Sequence, residues 1–380
     1  MRRSSRDTQR GHSARPGCRA PRSGRQGTAL GNATRVSQER PGGTIAVART
    51  LAERKAAVTR FRVRTLVLLP ALAATSLLAV GCGATTEKPN AGGQPCTPGT
   101  ATELPDPKPL TVNEPVAQAA AAKLPDAVKA KGKLTIAADA SYAPNEFTTE
   151  GSNQIIGMDV DLGNAIGKAL GIQVEFVNAS FDGILAGIQA GRYDAGMSSF
   201  TDTKEREQSV DFVTYFKAGT STMVRKCNPK GIKTDLDLCG KNVGAENGTI
   251  QLDQITKEDA DGSLIKKCKD AGKNPPNGQG FPKQTDVNAA LQADRIDAYL
   301  ADSPVVDYAL KKTGDAFEKV GEAQGVAPYG IAVGKNSGTL KDALQAAVQQ
   351  LMADGTYQKV LDNWGVKDGA INQSTINGAQ

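Results

Sequence analysis

The sequence predicts an α/β fold of two similar lobes with a cleft between them. Three observations lead there. Short apolar runs alternate with helical stripes, which is how a parallel sheet covered by helices on both faces reads. The alternation occurs twice, first over residues 134–197 and again over residues 243–311. Each set ends in a polar loop just past a strand, where open α/β sheets place their ligands.

Taken in order, Leu134–Ala138 is the first strand. Leu162, Ala165, Ile166, Ala169 and Leu170 then make a helical stripe at i, i+3, i+4, i+7 and i+8. Val174–Val177 is a strand, Ile184, Leu185 and Ile188 mark a helix, and Ala195–Met197 is a strand. The second set runs Val243–Ala245 strand, Asp286–Ala293 helix, Ala298–Ala301 strand and Pro304–Lys311 helix. Helices over Thr339–Ala353 and Tyr357–Trp364 close the chain, punctuated by Gly355 and Gly365.

The 380 residues carry a net charge of +6, which joins two unlike parts. Residues 1–64 hold fifteen Arg and Lys55 against Asp7, Glu39 and Glu53, whereas the remainder holds 30 basic and 37 acidic residues. An acidic body argues against nucleic acid as a partner, because that footprint needs a clustered basic face. The one histidine, His12, lies in the basic extension. That excludes histidine-based triads and histidine-ligated metal from the body, and nothing in it calls for a cofactor.

Arg60, Arg62 and Arg64 precede the uncharged run Leu66–Val80 and then Gly81-Cys82. A charged start, an apolar run and a small residue before a cut define an export signal. The run is interrupted by Pro70, Thr75 and Ser76 and is shorter than the roughly 20 apolar residues a spanning helix needs. Ala79-Val80-Gly81-Cys82 resembles the lipobox of bacterial lipoproteins, which implies lipidation at Cys82. The Arg-, Gly- and Ser-rich stretch before the signal lacks hydrophobic periodicity. It is expected to precede the true start, near Val58; a genuine long extension is the alternative. The expected organisation is a basic extension and signal n-region over 1–64, an h-region and lipobox over 65–82, and a flexible tether over 83–124.

Ser198-Ser199-Phe200-Thr201-Asp202-Thr203-Lys204-Glu205-Arg206 follows the third strand as a hydroxyl-rich loop ending in an arginine. Free N–H groups beside a guanidinium receive a carboxylate. Asp294 to Ser303 repeats the helix–turn–strand pattern but ends in an acid, Asp302. One anion seat and one cation seat on similar scaffolds suit a zwitterion, an α-amino acid.

These segments together resemble family 3 of the bacterial extracellular solute-binding proteins, amino-acid receptors of ABC importers. The resemblance covers roughly Gly132 to Gly365. Gly157-Met158-Asp159-Val160-Asp161-Leu162 resembles the family signature, with methionine where an aromatic or aliphatic residue is usual. Asp139-Ala140-Ser141-Tyr142-Ala143-Pro144 resembles its first ligand loop, and Ser198–Arg206 its carboxylate loop. Gly240-Lys241-Asn242-Val243-Gly244 with Gly248-Thr249 resembles its second-lobe loop, and Asp354-Gly355-Thr356-Tyr357 also fits. The resemblance implies the two-lobed type II periplasmic-binding-protein, or Venus-flytrap, fold with two hinge strands. Crossings are expected near Thr220–Val224 and Tyr329–Val333. Lobe one takes 125–220 completed by 330–366, lobe two takes 221–329, and 367–380 is a C-terminal tail.

The resemblance also implies residue roles, each beside a plainer reading. Arg206 binds the α-carboxylate, or is a solvated arginine paired with Glu205 or Glu207. Ser199 and Thr201 assist it, or only cap a helix as Thr203 could. Asp302 binds the α-ammonium, or caps the Pro304 helix. Tyr142 and Phe181 sandwich the ligand's side chain, or fill the core. Asp139 meets its distal polar group, and Thr249 with the Ile250 amide offers a helix start to the carboxylate. Asn145 stands where relatives often have phenylalanine. Glu246 can face the side-chain pocket, and with Asp139 it makes that seat acidic, disfavouring glutamate and welcoming amide or guanidinium donors. Asp159 and Asp161 mimic a catalytic pair but are read as capping a helix near Val160. Cys239 with Cys268 is the expected disulfide in lobe two, and Cys96 with Cys227 the remaining pair; four body cysteines allow three connectivities.

The function implied is a monomeric, lipid-anchored receptor on the outer face of the cytoplasmic membrane. It delivers a polar or basic amino acid, glutamine- or arginine-like, to an ABC permease. A sensory binding protein is the alternative, and a cyclohexadienyl or arogenate dehydratase on the same fold is a further one.

Overall fold

A computed structural model describes residues 108–379. The expectations for the basic extension, the export signal, Cys82 and Cys96 lie outside the described residues.

The chain enters through α1 (Gln118–Ala121) and α2 (Asp126–Lys131), then β1 (Lys133–Ala138) and a small antiparallel sheet of β2 (Ser141–Tyr142), β3 (Glu146–Thr148) and β4 (Ile155–Ile156). Helix α3 (Met158–Leu170), β5 (Gln173–Asn178), α4 (Phe181–Gln189) and β6 (Ala195–Gly196) complete the first alternating set. The long strand β7 (Val210–Arg225) leads into the second set. It comprises β8 (Asn242–Glu246), α5 (Ile250–Thr256), α6 (Leu264–Asp270), β9 (Asn277–Phe281), α7 (Gln284–Gln292), β10 (Ala298–Asp302) and α8 (Ser303–Thr313). A second long strand, β11 (Phe317–Gly334), returns the chain to α9 (Leu340–Ala353) and α10 (Thr356–Trp364).

One eight-stranded sheet has the order β5-β1-β6-β11-β7-β10-β8-β9. The outer strands are parallel within each half, while β7 and β11 form an antiparallel ribbon down the middle. This ribbon is the hinge. Its register runs from Phe317↔Arg225 to Gly334↔Val210 and slips between Val320 and Gln324 and again before Ala327. At the slip Gly219 lies so close to β11 that a Cβ there would sit 2.8 Å from the Gln324 carbonyl oxygen. Tyr329–Val333 pairs beside β6 in the first lobe, so the return crossing falls earlier than expected, around Gln324–Ala327. The displacement has a simple cause: the apolar Tyr329–Val333 is buried in the first core, while residues 321–326, Gly-Glu-Ala-Gln-Gly-Val, are mostly open to solvent.

Each half has its own apolar core. Leu134, Leu162, Ile166 and Tyr329 belong to the first, together with Leu344 and Trp364 from the C-terminal helices. In the second half, Val287, Leu291, Tyr299 and Val306 pack on one side of the sheet strands and Val243, Ile255 and Leu264 on the other. Cys239 and Cys268 form a disulfide that ties the start of β8 to α6.

Two ends of the body depart from expectation. The tether was to run to residue 124, yet the Leu110 amide donates to Asp161 at 2.8 Å and Leu124 is buried. Residues 367–380 were to be a tail, yet they dock on β7. The Thr214 amide donates to the Thr375 carbonyl, Val213 bridges Ile376, and the Asn377 amide donates to the Phe212 carbonyl. Strand β10 leaves that stretch of β7 unpaired, and exposed strand edges invite foreign pairing. The last residues cover it.

Candidate ligand site

The ten residues singled out from the sequence converge on one cleft between the lobes. Asp139, Tyr142, Phe181, Ser199, Thr201 and Arg206 line it from the first lobe, and Glu246, Thr249, Ile250 and Asp302 from the second. Ser198 and Gln251 join them, and the lobes leave about 10 Å³ of free space among these twelve.

Arg206 opens a short 3-10 turn, its amide held by the Thr203 hydroxyl. Its guanidinium donates to the Thr201 carbonyl at 2.8 Å and across the cleft to the Gly248 carbonyl at 2.9 Å. The Phe181 and Phe200 rings, stacked at 4.5 Å, lie 5.8 and 5.7 Å from it. Burial lowers its pKa from the usual guanidinium value, with Asp302 opposing, and a guanidinium stays charged regardless. Among the described residues no carboxylate forms an ion pair with it, and neither Glu205 nor Glu207 is its hydrogen-bond partner.

Asp302 ends β10 and sits at the start of α8 without capping it through its side chain. Its carboxylate instead accepts from the Tyr142 hydroxyl at 2.9 Å and the Gln251 amide at 2.7 Å. Burial raises its pKa, while the hydrogen bonds from Tyr142 and Gln251 and the charge of Arg206 pull it back. Gln251 carried no sequence signal of its own. Its position, the second residue of α5, becomes meaningful only once β10 is alongside.

Glu246 ends β8, is buried, and leaves Oε1 without a hydrogen-bond partner. Burial pushes its carboxyl up to about 9, reinforced by the charges of Asp139 and Asp302. Asp139 accepts from the Phe181 amide at 3.1 Å, so it also caps α4. Burial raises its pKa as well. Two carboxyls therefore share one dry corner of the cleft. A cationic or amide-bearing group would relieve both.

Thr249 caps α5: its hydroxyl accepts from the Leu252 amide at 3.1 Å and donates to the Glu246 carbonyl at 2.7 Å. Gly248 takes φ +79°, and a Cβ there would meet Asp182 Cα of the first lobe at 2.8 Å. Only glycine lets the lobes approach this far.

The Ser198–Ser199 loop is supported from beneath. Ser199 has φ +53°. Its amide donates to Asp159 at 3.1 Å and its hydroxyl to Glu146 at 3.2 Å, while Asn145 donates to that hydroxyl. Its side chain therefore faces inward, not toward a ligand. Ser198 donates to the other Glu146 oxygen and accepts from the Asp139 amide. Burial pushes Asp159 up to about 7 and Glu146 well above the usual carboxylate range, each feeling the other. The reading of Asp159 and Asp161 as helix caps is corrected. Helix α3 starts at Met158 with no side-chain cap. Asp159 braces Ser199 and Tyr215, while Asp161 accepts from Leu110 and the Trp364 indole. Both serve partners distant in sequence, which local spacing cannot show.

The fold has counterparts among solved structures. An ancestral arginine-binding protein bound to arginine superposes with a TM-score of 0.54 at 33% identity, covering 61% of this chain and 98% of that one. An ancestral amino acid-binding protein described as a precursor of cyclohexadienyl dehydratase gives 0.55 at 31%, covering 63% and 98%. In sequence, the chain is 32% identical over 260 residues to the arginine-binding protein ArgT of Corynebacterium glutamicum, covering 67% of this chain and 82% of that protein. It is 29% identical over 238 residues to the L-cystine-binding protein TcyJ of Escherichia coli K12, covering 62% and 84%. The family model matches residues 134–367, the span that holds both lobes and all ten cleft residues, and the chain thus belongs to family 3 of the bacterial extracellular solute-binding proteins.

Proposed function

We propose that the protein is an extracytoplasmic receptor that binds a basic or polar L-amino acid, arginine first and glutamine next, and delivers it to an ABC import permease. Arg206, with the backbone around Thr201 and Ile250, holds the α-carboxylate, and Asp302 holds the α-ammonium. Tyr142 and Phe181 enclose the side-chain methylenes. Ser199 positions this loop from below. The observation that carries the ligand choice is Glu246, a buried carboxyl with a free oxygen beside Asp139. A guanidinium offers five donors to such a seat and favours the ionised form of its carboxyls, whereas a glutamate side chain would set a third carboxyl beside two that burial already holds up. Relatives named for arginine binding support this reading.

The chain has no catalytic role in this reading. It acts as a monomer, held to the outer face of the cytoplasmic membrane by lipid on Cys82. Among the described residues no helix is long and apolar enough to cross a membrane. Affinity comes from closure about the β7–β11 ribbon, driven by ligand contacts to both lobes. Calorimetry of the purified protein with arginine, lysine, glutamine, glutamate and cystine tests this. Arginine is expected to bind most tightly; glutamate binding more tightly than arginine and glutamine would overturn it.

A further inference from the structure

Closure brings two carboxyls together from opposite lobes. Asp139 follows β1 in the first lobe and Glu246 ends β8 in the second, and they are 3% and 2% exposed. The lobes are joined at the Ser141 hydroxyl of β2, which accepts from the Gln284 amide at the start of α7 at 3.2 Å and bears on both acids. The cleft that holds them keeps about 10 Å³, barely the roughly 10–15 Å³ that one water needs. Asp139 accepts from the Phe181 amide, whereas Glu246 Oε1 has no partner. With the lobes apart, water solvates each carboxylate. With the lobes together it does not.

The surrounding charges add to that cost at Glu246. Asp302 faces it from β10, and the Tyr142 hydroxyl from β2. Lys283, just before α7, draws on Asp139, and Arg206 draws on Asp302. Strand β9 pairs the uncharged Phe281 with Glu246. Asp182 of α4 comes close at Gly248, but its carboxylate accepts from its own neighbour Ser180. Burial, then Asp139 and Asp302, hold the Glu246 carboxyl up to about 9, against hydrogen bonds from Ser141 and Gln284. Acids of like charge in a dry site do not ionise together.

We propose that Asp139 and Glu246 form a proton gate on closure: the lobes meet over these two carboxyls when Glu246 carries a proton or when a cationic side chain lies between them. The empty cleft takes that proton from solvent as it closes and returns it on opening. Which ligand replaces the proton rests on the receptor reading above; closure of the empty protein does not. A guanidinium carries donors only and suits two ionised carboxyls. A glutamine amide both donates and accepts, so it suits ionised Asp139 beside a Glu246 whose O–H donates to it. Glutamine therefore closes the lobes with uptake of one proton and arginine with none. Rising pH moves the receptor's preference from glutamine towards arginine.

Two measurements on the full chain test the gate. Small-angle scattering of the ligand-free protein from pH 5.5 to 8.5 is expected to show a radius of gyration that rises with pH, whereas Glu246→Gln stays compact throughout. A native envelope that does not respond overturns the gate. So does a Glu246→Gln envelope that still opens, which would assign the response to the intact Glu146–Asp159 pair. Calorimetry between pH 6 and 8, in buffers of different ionisation enthalpy, is expected to show glutamine binding weaken about three- to tenfold per pH unit with proton uptake. Arginine should change less than about twofold over the whole range, with no uptake. Equal slopes for the two ligands overturn the selectivity. An envelope that responds as expected while neither amino acid binds upholds the gate and overturns the receptor reading.

Discussion

The Arg206 guanidinium of the first lobe donates to the Gly248 carbonyl of the second at 2.9 Å. In the proposed receptor, one side chain thus serves as anion seat and also as a latch between lobes. Arg206→Ala is expected to weaken arginine binding by about two to four decades, as loss of one partner of a buried charge pair costs roughly 3–5 kcal/mol. Arg206→Lys should recover little, because an ammonium cannot reach two carbonyls and a carboxylate in one plane. Calorimetry checks both, and near-native affinity in Arg206→Ala would show the seat is elsewhere.

Gly248→Ala tests closure by itself. The added methyl meets Asp182 in the opposite lobe and stands at a φ that L-residues avoid. Binding should fall at least tenfold, while small-angle scattering with saturating arginine should show a more open molecule than the native one. An unchanged closed envelope would refute the steric account.

Glu246→Gln should shift preference between ligands. Removing the carboxyl that a bound guanidinium would ionise, while keeping its shape, is expected to cost arginine about ten- to a hundredfold, the worth of a charged hydrogen bond, and to leave glutamine within a few-fold. A parallel loss for both ligands would mean that Glu246 shapes the pocket without choosing its occupant.

The Glu146–Asp159 pair predicts a pH dependence. Burial raises Asp159 to about 7 and Glu146 in the same direction, so the folded state binds a proton that the unfolded state releases near pH 4. The stability contributed by that proton is complete below about pH 4 and is lost as pH rises towards 7. Glu146→Gln supplies a donor to Asp159 without a proton. Urea unfolding between pH 5 and 8 should show the native protein losing stability relative to this variant, and parallel curves would contradict the shared proton.

Strand and helix positions were legible because apolar spacing carries them. Leu134–Ala138 and Ala298–Ala301 fall within strands one or two residues longer. The cleft residues were legible because each lies in a short segment beside a turn. What escaped was set by tertiary pairing. Val210–Arg225 and Phe317–Gly334 mix buried and exposed residues as they pass from one core to the other, so no single period marks them. Gln251, Glu146 and the inward turn of Ser199 acquire their partners from segments 51, 53 and 54 residues away.

The final residues do more than cover the side of β7. The Gly378 amide donates to Asp202 at 2.6 Å and the Ala379 amide to Glu207 at 3.2 Å, on either side of Arg206. Gly378 and Ala379 therefore brace the segment that carries Arg206. A purification tag or fluorescent protein fused there would pull on the recognition loop itself. For a biosensor built on this fold, a reporter joined at Gly378–Ala379 is coupled to the Arg206 loop, and for an affinity measurement these two residues are the ones to leave untouched.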